Sequence, residues 1–97
     1  MLIRSQNKKC IINLDNIDTI EGIDGKIVYF NGGADSRGIL GNYSTDEKII
    51  NVLDMIQKKY LEENYMPLLA NYGFVKNNIF QMPQDDEITI QEGKNND

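Results

Sequence analysis

Histidine is absent from these 97 residues, and the chain has one cysteine, two prolines and no tryptophan. Without His it lacks the commonest general base, the commonest metal ligand and every Ser-His or Cys-His nucleophile pair. The lone thiol, Cys10, excludes an internal disulfide and a thiolate zinc cluster. No apolar run approaches the ~20 residues of a membrane span, and the opening Met-Leu-Ile-Arg-Ser-Gln lacks the apolar stretch of a secretory signal. A cytoplasmic protein with no membrane partner is the expectation. Positive charge is scarce too: 10 Lys+Arg stand against 15 Asp+Glu, a net charge of −5. Such a surface repels phosphate backbones at long range, which disfavours a nucleic-acid partner. What remains is ordinary for a folded chain, 40% hydrophobic and 26% charged. Its length allows one core.

Residues 1–43 read as short strands separated by turns. Leu2 to Ser5 is apolar enough for a strand, and Gln6-Asn7-Lys8-Lys9 suits a turn. Cys10, Ile12 and Leu14 then alternate onto one face, which makes Cys10 a buried small hydrophobe. Asp24-Gly25 lies between Thr19–Ile23 and the β-branched and aromatic run Lys26-Ile27-Val28-Tyr29-Phe30. That dipeptide predicts a hairpin with a type I′ turn. Gly38-Ile39-Leu40-Gly41-Asn42-Tyr43 reads as a further strand whose glycines suit a bulge or a close approach.

The rhythm then changes. Ser44-Thr45-Asp46-Glu47 is a capping-box pattern, with Ser44 as the cap. Ile49, Val52, Leu53, Ile56 and Tyr60 follow at helical spacing, which predicts a helix over 45–63. Pro67 cannot continue it and suits the start of a short second helix. A last strand is expected within 75–82. The fold class is α+β: an antiparallel sheet of four or five strands with one long amphipathic helix on one face. Residues 1–83 form the domain and 84–97 a polar, flexible tail. The core should join Ile12, Leu14, Ile20, Ile27, Tyr29 and Ile39 to the helical stripe.

Few residue sets suggest chemistry. Asp85-Asp86-Glu87 are adjacent and diverge, so they read as a solvated acidic tail. Asp15, Asp18, Glu21 and Asp24 recur every third residue, out of register with a calcium loop. The loop from Gly32 to Gly38 has no Gly-Lys-Ser/Thr opening a helix, so it is no phosphate cradle. Arg37 is an isolated cation there, read as solvated. Arg4, Lys8 and Lys9 form the only basic cluster near the start. Tyr65, Met66, Leu68, Leu69, Tyr72 and Phe74 carry enough apolar surface to cover the core or to bury against another subunit. Catalytic, cofactor-binding and metal residues are expected to be none.

Several segments bear a resemblance. The opening six residues, Ile-Ile-Asn-Leu-Asp-Asn-Ile at 11–17, Leu-Gly-Asn-Tyr-Ser-Thr-Asp-Glu at 40–47, Val-Leu-Asp-Met-Ile-Gln at 52–57 and Phe-Gln-Met-Pro at 80–83 carry it. Together they resemble short uncharacterised proteins found in phage and prophage regions of low-GC Gram-positive bacteria. The likeness covers most of 1–57 plus 80–83, and no activity, ligand or catalytic residue comes with it. Three functional readings follow. The first is a non-catalytic interaction module of phage type, partnered by protein, either a second copy of itself or another chain. The others are a nucleic-acid binder using Arg4, Lys8 and Lys9, and a His-free enzyme using carboxylates.

Overall fold

The computed structural model describes residues 1–32, 36–65 and 79–90. It is α+β, with six strands and one long helix in the described residues. β1 (Leu2–Arg4) pairs antiparallel with β2 (Ile11–Asn13) and parallel with β6 (Ile79–Gln81), giving a sheet of order β2-β1-β6. A second sheet is a meander of β3 (Thr19–Ile23), β4 (Lys26–Phe30) and β5 (Arg37–Asn42). The helix, α1, spans Asp46–Tyr65. Two three-stranded sheets thus replace the single expected sheet, and one of them is mixed. The cause is visible at Gln6. Beyond β1 the chain turns so that the Gln6 N–H donates to the Leu40 carbonyl at 2.7 Å, and no ladder between β1 and β5 follows it.

The type I′ hairpin forms as its dipeptide demands. Asp24 and Gly25 both take positive φ, 51° and 77°, and close β3 onto β4. β4 and β5 then slip register between Ile27 and Val28: Ile27 faces Gly41, whereas Val28 faces Ile39. Leu40 is the extra residue of this bulge. The slip turns Leu40 inward, where it is buried, and leaves Ile39 52% exposed. Ile39 was expected in the core, so this is a correction, and the bulge is its cause. Gly38 is needed beside it because the Tyr29 ring lies across it. A Cβ there would sit 2.6 Å from that ring.

One core joins both sheets to α1. Ile3, Ile12, Ile27, Leu40, Tyr43, Ile49, Val52, Ile56, Phe80, Met82 and Ile88 form it, and Leu14, Ile20, Tyr29 and Leu53 pack against its margin. Tyr60, expected in the core, is exposed instead, because it lines an open groove with Leu14, Ile17 and Leu53 that nothing among the described residues fills. Cys10 is exposed as well. It belongs to the turn before β2, where its N–H donates to the buried Ser5 Oγ at 3.1 Å, so strand alternation does not reach it. The helix cap shifts by one residue. Thr45 Oγ1 accepts the Lys48 N–H at 3.1 Å, and the Ser44 N–H donates to Asp85 instead.

Packing continues past Pro83, contrary to the expected tail. Residues Asp85–Glu87 form a 3-10 turn, and Ile88 is buried. Asp85 Oδ1 accepts the Ser44 N–H at 2.8 Å, and Lys48 Nζ donates to the Asp85 carbonyl at 2.9 Å and pairs with its carboxylate at 3.3 Å. Tyr43 donates its hydroxyl to the Pro83 carbonyl at 2.8 Å. Gln6 ties the same region to β5. Its side-chain amide accepts from the Asn42 N–H at 2.9 Å and donates to the Asn42 carbonyl at 3.0 Å, much as another strand would.

This clasp makes stability depend on pH at both ends of the scale. The Ser44 N–H, aided by the Ser44 and Lys48 side chains, holds the Asp85 carboxyl below its ordinary value of 3.8. Its contribution is present above that value and is lost as pH falls through the lower folded value. Burial, with Asp85 and Glu87 nearby, pushes the Tyr43 phenol up to about 12 from 10.0. The neutral phenol is the form the fold favours, so that stability is present below pH 10.0 and is lost as pH rises toward about 12. Urea titrations across pH should show both flanks. Tyr43→Phe should remove the alkaline one, and an unchanged alkaline flank in that variant would contradict the assignment.

Candidate interaction surface

The inward face of the β3-β4-β5 sheet carries Ile20, Ile27, Tyr29 and Leu40, all in or against the core. A half-buried antiparallel sheet normally presents polar groups on its other face. Here β4 is apolar on both. Cross-strand pairing lays out the outward face in three rows: Thr19, Phe30 and Arg37; then Glu21, Val28 and Ile39; then Ile23, Lys26 and Asn42. Ile23, Val28, Phe30 and Ile39 therefore form an apolar strip across all three strands, and they line a shallow depression with Asp24, Lys26 and Arg37. Ile23 and Ile39 are exposed, 39% and 52%, while Val28 and Phe30 are half-buried by their neighbours.

Charges border this strip on opposite sides. Glu21 and Asp24 lie on β3 and its turn, Arg37 on β5, and Lys26 near the hairpin end of β4. Glu21 accepts the Thr19 hydroxyl at 3.3 Å. Neither Lys26 nor Arg37 forms an ion pair among the described residues. Such a surface suits noncovalent association: it offers apolar area for burial and unpaired charges for orientation.

Comparison adds nothing to this geometry. No family model matches the chain, and no curated protein or solved structure matches it either.

The residues singled out in the sequence fall elsewhere. Met66, Leu68, Leu69, Tyr72 and Phe74 lie outside the described residues, as does the side chain of Tyr65 at the end of α1. The short second helix expected at Pro67 is outside them too. Arg4 and Lys8 meet at the β1–β2 hairpin, where Arg4 Nε donates to the Lys8 carbonyl at 3.1 Å, and the Lys9 N–H donates to Asn7 Oδ1 at 2.9 Å. The carboxylates are dispersed. Asp18 Oδ2 accepts the Gly32 N–H at 2.7 Å and Asp85 holds Ser44 and Lys48, so each has a structural task. Among the described residues no group of three or more Cys, Asp or Glu is placed to hold a metal ion. No helix among them is long and apolar enough to cross a membrane.

Sequence reasoning missed the outward face, although a signal was present. Lys26-Ile27-Val28-Tyr29-Phe30 does not alternate: four consecutive apolar or aromatic residues must supply both faces of β4. Reading that run only as strong strand propensity assigned Ile27 and Tyr29 to the core and left Val28 and Phe30 unplaced.

Proposed function

We propose that this protein is a non-catalytic interaction module that binds protein through the outward face of the β3-β4-β5 sheet. The observation that carries this reading is the uncovered strip of Ile23, Val28, Phe30 and Ile39 on a sheet whose opposite face is already used by the core. The absence of His from the sequence supports the non-catalytic part, since it removes the usual proton-transfer residue. Assignment to a phage or prophage setting rests on the resemblance of residues 1–57 and 80–83 alone.

The reading is tested with a photo-crosslinking amino acid at position 39, introduced into the full chain in living bacterial cells. The expected result is a discrete protein adduct that disappears when the crosslinker is moved to Asp54, on the exposed side of α1. A chain that yields no discrete adduct from position 39 refutes the proposal.

A further inference from the structure

We infer that the occupant of this face is a second copy of the chain, docked sheet to sheet about a two-fold axis running along the strands. This rests on the interaction-module reading and specifies its partner. The argument is charge placement. Across the whole sequence the net charge is −5, so two copies repel one another over most of their surfaces. On this face two anions, Glu21 and Asp24, meet two cations, Lys26 and Arg37, and the local sum is zero. The signs are also segregated in a way a two-fold can use. Glu21 lies on one edge strand, β3, and Arg37 on the other, β5, in adjacent rows.

A two-fold axis along the strands sets β3 of one copy across from β5 of the other. Val28, Phe30 and Lys26 of the central strand then meet their own counterparts. Arg37 falls one row from Glu21 of the second copy, within reach of its long side chain. Lys26 falls beside Asp24 of the second copy by the same operation. Each contact occurs twice, as a two-fold interface requires. An axis across the strands would instead set Glu21 against Glu21 and Arg37 across from Asn42, so only the axis along the strands brings Arg37 to Glu21 and Lys26 to Asp24, pairs that offset the Lys26–Lys26 contact.

The size of the face sets the strength. Three strands spaced about 4.8 Å apart and five residues rising about 3.3 Å each give a plate of roughly 14 by 17 Å. That is well below the ~800 Å² per partner of a standard interface. The association is therefore a weak one, weaker than ~1 μM.

Sedimentation equilibrium of the full chain from ~10 μM to ~1 mM tests this range. The mass should rise toward that of a dimer across it. Ile39→Glu should weaken association about tenfold or more, since it buries a carboxylate in the strip. Ile39 is half-exposed, so the fold should tolerate the change, and Ile39→Ser serves if its circular dichroism spectrum departs from wild type. Arg37→Glu should weaken the dimer several-fold, and adding Glu21→Arg should restore it to within about threefold of wild type. A chain monomeric at ~1 mM overturns the inference, as does a dimer indifferent to Ile39, or a charge swap that fails to restore. A monomeric chain that still crosslinks from position 39 to a different protein overturns the second copy and keeps the interaction module. A monomeric chain with no adduct overturns both.

Discussion

Leu40→Ala is expected to lower the unfolding free energy by about 2–5 kcal/mol, and Ile39→Ala, one residue away, by about 0.5 kcal/mol or less. The contrast isolates the bulge in β5. Were the hairpin-end register of Lys26 with Asn42 kept throughout, Val28 would face Leu40 and Tyr29 would face Ile39, so the two residues would exchange faces and Ile39 would carry the larger cost. With the slip at Ile27 and Val28, Leu40 is 1% exposed and fills space between the second sheet and the rest of the core. Truncation to alanine removes its isopropyl group and leaves a cavity in the core it shares with Ile27 and Tyr43. Urea unfolding of the two variants at neutral pH reads the difference directly. Equal losses would show that the register assigned to β5 is wrong.

Ending the chain after Pro83 is expected to cost about 2–5 kcal/mol as well, because it deletes the buried Ile88 together with the Asp85 clasp. Small domains of this size are stable by only about 5–15 kcal/mol, so the loss is a large share of the total and the truncated protein should melt at a markedly lower temperature. Most of that loss should reappear in Ile88→Ala, since the Asp85 pair is partly solvated and contributes little by itself. A truncated chain that melts with the full-length protein would restore the expectation of a flexible tail from residue 84.

The parts of the fold visible in the sequence are those written in short-range chemistry. Asp24-Gly25 specifies a turn whose two positive φ angles appear where expected, and the strands it joins follow. Ile49, Val52 and Ile56 keep helical spacing, and all three reach the core. The parts not visible depend on distant partners. Nothing local marks Ile79–Gln81 as the parallel neighbour of Leu2–Arg4, because β6 takes the backbone edge of β1 that β2 leaves open. Nor could the Ser44 cap be excluded from residues 44–47 alone. Asp85, 41 positions away, takes the Ser44 N–H and leaves Thr45 to cap the helix.

The same distinction explains the candidate surface. A stretch such as Lys26–Phe30 announces that a strand is apolar on two sides, but it does not say which side the helix will cover. That is decided by Gly22, where the approach of Ile49 Cγ2 leaves no room for a Cβ and seats α1 against one face of β3. Among the described residues nothing covers the opposite face. Arg37, read in the sequence as a solvated charge in a loop, becomes the first residue of an edge strand bordering that face.

The parallel pairing of β1 with β6 also orders events in time. The β3-β4-β5 meander is built from neighbours in sequence and can assemble while synthesis is still under way. The first sheet cannot, since its middle strand waits for a partner 77 residues later. Contacts of such long separation are slow to close. A nascent chain therefore cannot set Ile3 beside Phe80 until the residues of β6 have been made.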